Sequence, residues 1–238
     1  GNDLTSGSRN TALGRNALSQ DTVGSRSVAV GWGSLQNQNY TTATSNYNVS
    51  VGYNAGNDIT TGIQNTIVGG QAADAFVDAH GNTAVGYQSL TADTEGNNST
   101  AIGYATLQAQ NFTTSTTSHN VAVGYASGND VTTGQYNSLL GSGSGAKLTD
   151  ADYNTALGSQ ALNSDVLGSR STVVGFESLK NQNFTTATDS YNIAVGYQAG
   201  LSISTGIQNV LLGGLAGTAI TTGTRNIAIG TNALKTED

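Results

Sequence analysis

The sequence predicts an all-β fold, a parallel β-solenoid of about 13 coils. Three observations carry that expectation: one short motif recurs along the whole chain, its spacing is fixed, and polar and apolar residues alternate inside each copy. The motif reads Asn or Ser, any residue, usually Ala, an aliphatic, then Gly. Its glycines are Gly14, Gly31, Gly52, Gly69, Gly86, Gly103, Gly124, Gly141, Gly158, Gly175, Gly196, Gly213 and Gly230, always 17 or 21 residues apart. The 21-residue coil returns every fourth step, so a period of 72 residues overlies the first. Residues 1–238 therefore read as one repeat solenoid, with super-repeats at about 31–102, 103–174 and 175–238, the last incomplete, after a partial repeat at 1–30. Beginning at Gly1 partway through a coil, the chain is expected to be part of something longer.

Within a coil, Asn82-Thr83-Ala84-Val85-Gly86-Tyr87 reads as a short strand: Thr83, Val85 and Tyr87 share one face, Asn82, Ala84 and Gly86 the other. The fourth motif position is aliphatic in every copy, as in Leu13, Val85 and Ile102, and is expected to fill the coil interior. The third position is mostly Ala, with Ser50 the polar exception. Since both faces are apolar, the alanine face is expected to pack closely on another chain, or else to lie on a half-exposed flank. Ile67, Leu139 and Leu211 replace the alanine at one phase of the long period and would widen or plug that seam, with Val173 a partial case.

Ten residues after the motif glycine a second Gly often follows, as in Gly24, Gly62, Gly96, Gly134, Gly168, Gly206 and Gly223. Segments such as Asp58-Ile59-Thr60-Thr61 before it predict a second short strand, closed by a turn in which Gly supplies positive φ. Position nine alternates between Leu and Gly or Ala with the long period, so corner filling varies systematically. The first motif position predicts an asparagine ladder through Asn48, Asn65, Asn82, Asn120, Asn137, Asn154, Asn192, Asn209 and Asn226, with Ser27, Ser99 and Ser171 interrupting it. Asn39-Tyr40-Thr41 and Asn48-Val49-Ser50 match the glycan-acceptor pattern and read as chance matches in so Asn- and Thr-rich a chain.

Composition narrows the function classes. The chain has 238 residues, 32 of them Gly, with no Pro, Cys or Met. Absence of Cys excludes disulfide and thiol chemistry but fits either an extracellular or a cytoplasmic assembly. A net charge of -7 leaves no basic stripe for a nucleic acid backbone. No apolar run is long enough to span a membrane, so no membrane insertion is expected. His80 and His119 sit in unlike surroundings, and the acids Asp58, Asp93, Asp130, Asp165 and Glu177 recur as coil equivalents. No nucleophile elbow, phosphate loop or calcium-roll pattern is present. No catalytic residue, metal site or cofactor is assigned, and the chain is expected not to be an enzyme.

Two candidate surfaces remain. One is the aromatic row after the motif glycine, Trp32, Tyr53, Tyr87, Tyr104, Tyr125, Phe176 and Tyr197, which would stack on sugar rings if exposed. Sharing a face with the aliphatic position, the row reads better as a structural ladder at the edge of the core. The other is the 21-residue coil, whose extra residues predict three equivalent protrusions bearing Asn39, Tyr40 and Tyr47, then Asn111, Phe112 and His119, then Asn183, Phe184 and Tyr191. At about 4.8 Å per coil they would stand about 19 Å apart on a stack about 60 Å long. Such loops suit repetitive contact with a glycan or receptor, or form a ridge that merely absorbs extra chain.

Phrases such as Asn82-Thr83-Ala84-Val85-Gly86-Tyr87-Gln88-Ser89-Leu90 and Asn154-Thr155-Ala156-Leu157-Gly158-Ser159-Gln160-Ala161-Leu162 resemble the repeats of phage tail-fibre-like proteins. They are also similar to the head repeats of trimeric autotransporter adhesins. The resemblance covers essentially the whole chain and is specific for architecture, not for ligand. It implies a left-handed β-roll or β-helix, three chains side by side, and an extracellular setting on a virion tail fibre or bacterial cell surface. The chain departs from adhesin heads in its longer coils, and neither a stalk coiled coil nor a membrane anchor is expected within residues 1–238. The expected role is a structural fibre or adhesin segment whose partners are itself, as a homotrimer, and a cell-surface glycan or receptor. A filament or surface-layer subunit stacking end to end is one alternative, with the open end coils covered in that way. An ice-binding or other surface-binding solenoid, suggested by pairs such as Thr60-Thr61, is another.

Overall fold

A computed structural model describes residues 1–236, so the last two residues of the third super-repeat lie outside the described residues. The chain is an all-β parallel solenoid of about thirteen turns, with strands and turns and no helix among the described residues. By contacts it divides into two compact units, Gly1–His119 and a second from Asn120 onward. That boundary falls inside a 21-residue coil, so the 72-residue period marks recurring side chains, not separate bodies. The first unit stacks strands Thr11–Leu13, Val28–Val30, Val49–Val51, Thr66–Val68, Thr83–Val85 and Thr100–Ile102 in parallel. The second stacks Val121–Val123, Ser138–Leu140, Thr155–Leu157, Thr172–Val174, Ile193–Val195, Val210–Leu212 and Ile227–Ile229. Register follows the repeat, as in Thr83↔Thr100, Ala84↔Ala101 and Val85↔Ile102.

The facing of these strands is the reverse of the sequence expectation. In every strand after the first the central residue is buried: Ala29, Ala84, Ala101, Ala122, Ala156, Ala194 and Ala228 point into the chain's own core. The larger aliphatics beside them face outward, with Leu140 and Val195 open to solvent. The reason is volume. A coil of 17 residues encloses a narrow interior, and the position-nine leucines Leu35, Leu90, Leu107, Leu162 and Leu179 already fill it, all fully buried. Only a small side chain fits opposite them. Where position nine is Gly, the strand residue grows. A Cβ on Gly56 would lie 2.9 Å from Ile67 Cδ1, and one on Gly145 or Gly217 would meet Leu139 or Leu211 at 2.8 or 2.6 Å. Ile67, Leu139 and Leu211 therefore complete the chain's own core and do not plug a seam between chains. Ile59, Phe76, Val131, Leu148 and Ile203 close the far side of the interior.

The two glycine series serve different ends. Motif glycines turn the corner at positive φ: Gly86 has φ 135, and a Cβ there would fall 2.2 Å from the Gly103 carbonyl oxygen. The second series was expected to need positive φ too, yet Gly24, Gly62, Gly96 and Gly168 do not have it. They are small because something presses on them: a Cβ on Gly62 would meet Ala79 O at 2.4 Å, and one on Gly96 would meet Asp93 Oδ2 at 2.1 Å. The predicted second strand before them is a bend. Its coils still bond to each other, but the Thr60, Thr61 and Gly62 N–H groups all converge on the one Val77 carbonyl (3.0, 3.2 and 3.3 Å), and a single shared acceptor does not build a ladder. Short bridges form instead at each 21-residue coil, pairing Gly24–Ser25 with Thr44–Ser45, Gly96–Asn97 with Thr116–Thr117, and Gly168–Ser169 with Thr188–Asp189.

Candidate functional site

The outer face of the strands carries a run of aliphatic and threonine side chains in each unit. Motif positions two and four supply Thr66, Val68, Thr83, Val85, Thr100 and Ile102 in the first unit, and Thr155, Leu157, Thr172, Val174, Ile193 and Val195 in the second. The aromatic row borders this face and is exposed, its seven members ranging from 40% to 61%. It was expected at the core's edge, but it follows the aliphatics outward because all share one side of the strand. Its rings stack rung on rung: Trp32 on Tyr53 at 5.1 Å, Tyr87 on Tyr104 at 5.7 Å, and Phe176 on Tyr197 at 5.7 Å, each pair within 21° of parallel. Stacking covers ring faces and leaves edges outward, which disfavours the row as a set of sugar platforms.

A second bordering column, immediately before the motif asparagine, was missed in the sequence except at Tyr47, His119 and Tyr191. Tyr136 stacks on Tyr153 (5.1 Å, 7°), and Arg170 lies 4.9 Å from the Tyr153 ring and 5.9 Å from Tyr191 while pairing with Asp189 at 2.8 Å. In the first unit Arg26 lies 5.3 Å from the Tyr47 ring and donates to its hydroxyl at 3.0 Å. These residues hold a left-handed conformation, Tyr153 at φ 59 and Arg170 at φ 63, which throws their side chains outward at the corner. Their signal was the coil-by-coil recurrence, at the position before the motif Asn or Ser, of planar side chains such as Arg26, Tyr47, Tyr136, Tyr153, Arg170 and Tyr191.

The three predicted protrusions divide into exposed and buried members. Asn39, Tyr47, Asn111, His119, Asn183 and Tyr191 are exposed. Tyr40, Phe112 and Phe184 are not surface residues: each is only 5% exposed and plugs the base of its loop. The extra chain needs its own apolar anchor, and an aromatic closing a loop this short turns inward. Beneath each anchor lies a buried polar network that sequence reasoning did not assemble. Asp93 Oδ1 accepts from the backbone N–H of Gly96 and Phe112, and Oδ2 accepts from Gln110 Nε2 at 2.6 Å. Gln110 also donates to Ser99 Oγ, which shares a 2.6 Å bond with Ser118. Asp165, Gln182, Ser171 and Ser190 repeat the arrangement. Asp21, Gln38 and Ser27 carry a variant in which Asn46 stands in place of the second serine and accepts from Ser27. Burial raises the Asp93 and Asp165 carboxyls above their usual range, with the converging donors opposing it. The recurrent Asp-x-x-Gly together with Gln38, Gln110 and Gln182 was the legible trace.

The asparagine ladder runs through the interior. Asn65 Oδ1 accepts from the Asn82 N–H at 3.0 Å, and Asn82 Nδ2 donates to Gly96 O at 2.8 Å. Asn48, Asn65 and Asn82 in the first unit, and Asn120, Asn137, Asn154, Asn192 and Asn209 in the second, are buried, while Asn226 is part-buried with the same bonds to Asn209. Ser27, Ser99 and Ser171 interrupt it where the aspartate networks take over.

Comparison with family models, curated proteins and solved structures finds no match. What the side chains can do is therefore read from geometry alone. Among the described residues no three of His, Asp or Glu converge as a metal-binding group. His80 accepts from the Ile63 N–H at 3.1 Å and lies 3.4 Å from Asp78. Glu177, held below its usual range by Lys180 and Gln198, is consumed by those two contacts at 2.6 and 2.7 Å. The threonine pairs spend hydroxyls within the stack, Thr61 on Asp78 and Thr133 on Asp150.

Proposed function

We propose that this chain is a non-enzymatic structural segment of an extracellular fibre or adhesin, packed as a homotrimer and presenting its 21-residue loops for attachment to a glycan or receptor. The carrying observation is the outward aliphatic face with its aromatic borders. Parallel sheets normally bury both faces, and here one face is covered by the chain itself while the other holds Val, Leu, Ile and Thr open to water. Four half-exposed rings in the first unit, Trp32, Tyr53, Tyr87 and Tyr104, leave roughly 400 Å² of aromatic surface before the aliphatics are added. That approaches what a monomer tolerates in one patch. Copies of the same chain offer the matching repeat, so rungs of one strand face coincide with rungs of another. The correction of strand facing moves the expected interface from the alanine side to the valine side. In this reading Asn39, Asn111 and Asn183, with Tyr47, His119 and Tyr191, are the contact residues held out by the buried anchors. A tail fibre of a virion and a bacterial surface adhesin are the two settings that the repeat resemblance supports.

Light scattering on the purified chain across a dilution series tests the reading. A constant mass of three chains is the expected result. A monomer at all concentrations overturns the packing, and a mass that grows with concentration replaces it with end-to-end filaments.

A further inference from the structure

Six asparagines head an Asn-x-Ser/Thr tripeptide: Asn39, Asn48, Asn97, Asn98, Asn111 and Asn183. Their surroundings sort them. Asn48 is buried in the ladder, its Nδ2 donating to Gln38 Oε1 and Gly62 O at 2.9 and 2.8 Å. Asn97 is buried and donates to Ser115 Oγ at 3.0 Å. Asn98 is exposed, but its tripeptide runs through fully buried Ser99 into the strand Thr100–Ile102, so it is locked in the stack.

The other three occupy one structural position, repeated at the 72-residue period. Asn39, Asn111 and Asn183 are exposed, lie in irregular chain just ahead of a bend, and are followed two residues on by exposed Thr41, Thr113 and Thr185. The middle residue, Tyr40, Phe112 or Phe184, is turned into the loop base, and the Phe112 and Phe184 N–H groups are tied to Asp93 and Asp165 at 3.0 Å. Alternation along the chain then sends the asparagine and threonine side chains to the water side. In the first unit Asn39 and Asn111 use Oδ1 to accept from Thr22 and Thr94, at 3.3 and 3.2 Å, leaving Nδ2 with no acceptor among the described residues.

We propose that Asn39, Asn111 and Asn183 are N-glycan acceptor sites, each taking a sugar from a donor activated as an anomeric phosphate ester. In the transfer Nδ2 attacks the anomeric carbon and a C–N bond forms. The bond from that carbon to phosphate oxygen breaks, and the phosphate leaves with the electron pair. One amide proton passes to a base of the transferase. The acceptor chemistry is that of the Asn-x-Thr pattern; the structure adds that three of the six patterns tolerate a bulky substituent without loss of a core bond. Asn39 and Asn111, four coils apart, would carry sugars about 19 Å from each other. The assignment replaces the chance-match reading at Asn39 and does not depend on the attachment reading, in which sugar on these asparagines would leave Tyr47, His119 and Tyr191 as the contact residues.

The chain secreted from a eukaryotic cell line, purified as folded material and mapped by mass spectrometry before and after glycosidase treatment, tests it. Sugar at Asn39, Asn111 and Asn183 with Asn48 and Asn97 bare is expected. Thr41→Ala, Thr113→Ala and Thr185→Ala should each remove one modification while circular dichroism is unchanged. Folded protein with all three asparagines bare overturns the assignment, as does sugar on Asn48 in folded material.

Discussion

Single residues carry this fold because each is repeated in a column. Asn82→Ala would orphan the Ser99 N–H and the Gly96 carbonyl, both bonded at 2.8 Å to that one side chain. At about 1–3 kcal/mol per orphaned buried group, a loss of at least ~2 kcal/mol is expected in denaturant unfolding, against within about 0.5 kcal/mol for the exposed Thr113→Ala. Gly86→Ala combines a φ of 135 with a Cβ 2.2 Å from the Gly103 carbonyl, so destabilisation on the order of 3 kcal/mol or more is expected. Gly214→Ala, with nothing within 4 Å of its Cβ, should be nearly neutral in the same assay. The buried aspartates give a pH signature. Because burial raises the folded-state carboxyls of Asp93 and Asp165 above the ordinary 3.8, the folded chain takes up protons before the unfolded chain as pH falls. Their contribution to stability therefore grows from neutral pH down through the raised values, is complete below 3.8, and is lost again as pH rises. Urea midpoints at pH 7 and pH 4.5 should converge when Asp93→Asn and Asp165→Asn are combined.

At the scale of one coil, the strand and the opposite corner share a fixed interior volume. Ile67→Ala should cost about 2–5 kcal/mol by opening a cavity. Gly56 already sits at φ 55, close to the φ 48 at which Leu35 is held in its own coil, so a leucine fits that backbone. Adding Gly56→Leu to Ile67→Ala is then expected to recover part of the loss, whereas Gly56→Leu alone drives its side chain into Ile67 and destabilises. A double-mutant cycle in urea reads the coupling directly; additive effects would show that the two positions do not share the cavity. The 21-residue coil solves a different problem, absorbing four extra residues by planting an aromatic over a satisfied carboxylate.

For the whole molecule, the outward strand face decides behaviour in solution. Thr83→Lys with Val85→Lys places charge on that face without touching buried Ala84. The expected outcome is a lower mass by light scattering with circular dichroism and unfolding midpoint little changed. A double variant that keeps the parental mass would place the association surface elsewhere. The same substitution on the alanine side, Ala84→Lys, should instead unfold the chain, because that position belongs to its own core.

The sequence by itself determined the coil length, the number of turns, the strand at each motif and the asparagine column, since all of these follow from spacing and local alternation. It also marked Asn39, Asn111 and Asn183 as members of one loop class. Which strand face turns inward was decided only by the tertiary structure, because Ala84 and Val85 are both apolar and alternation cannot tell a small core from a small interface. The narrow interior chose, by leaving room for either Leu90 and an alanine or Gly56 and Ile67. The burial of Tyr40, Phe112 and Phe184, and the joining of Asp93 to Gln110 and Ser99, were likewise invisible. Those contacts link residues 11 to 19 positions apart across neighbouring coils, where loop closure and not local pattern sets the partner.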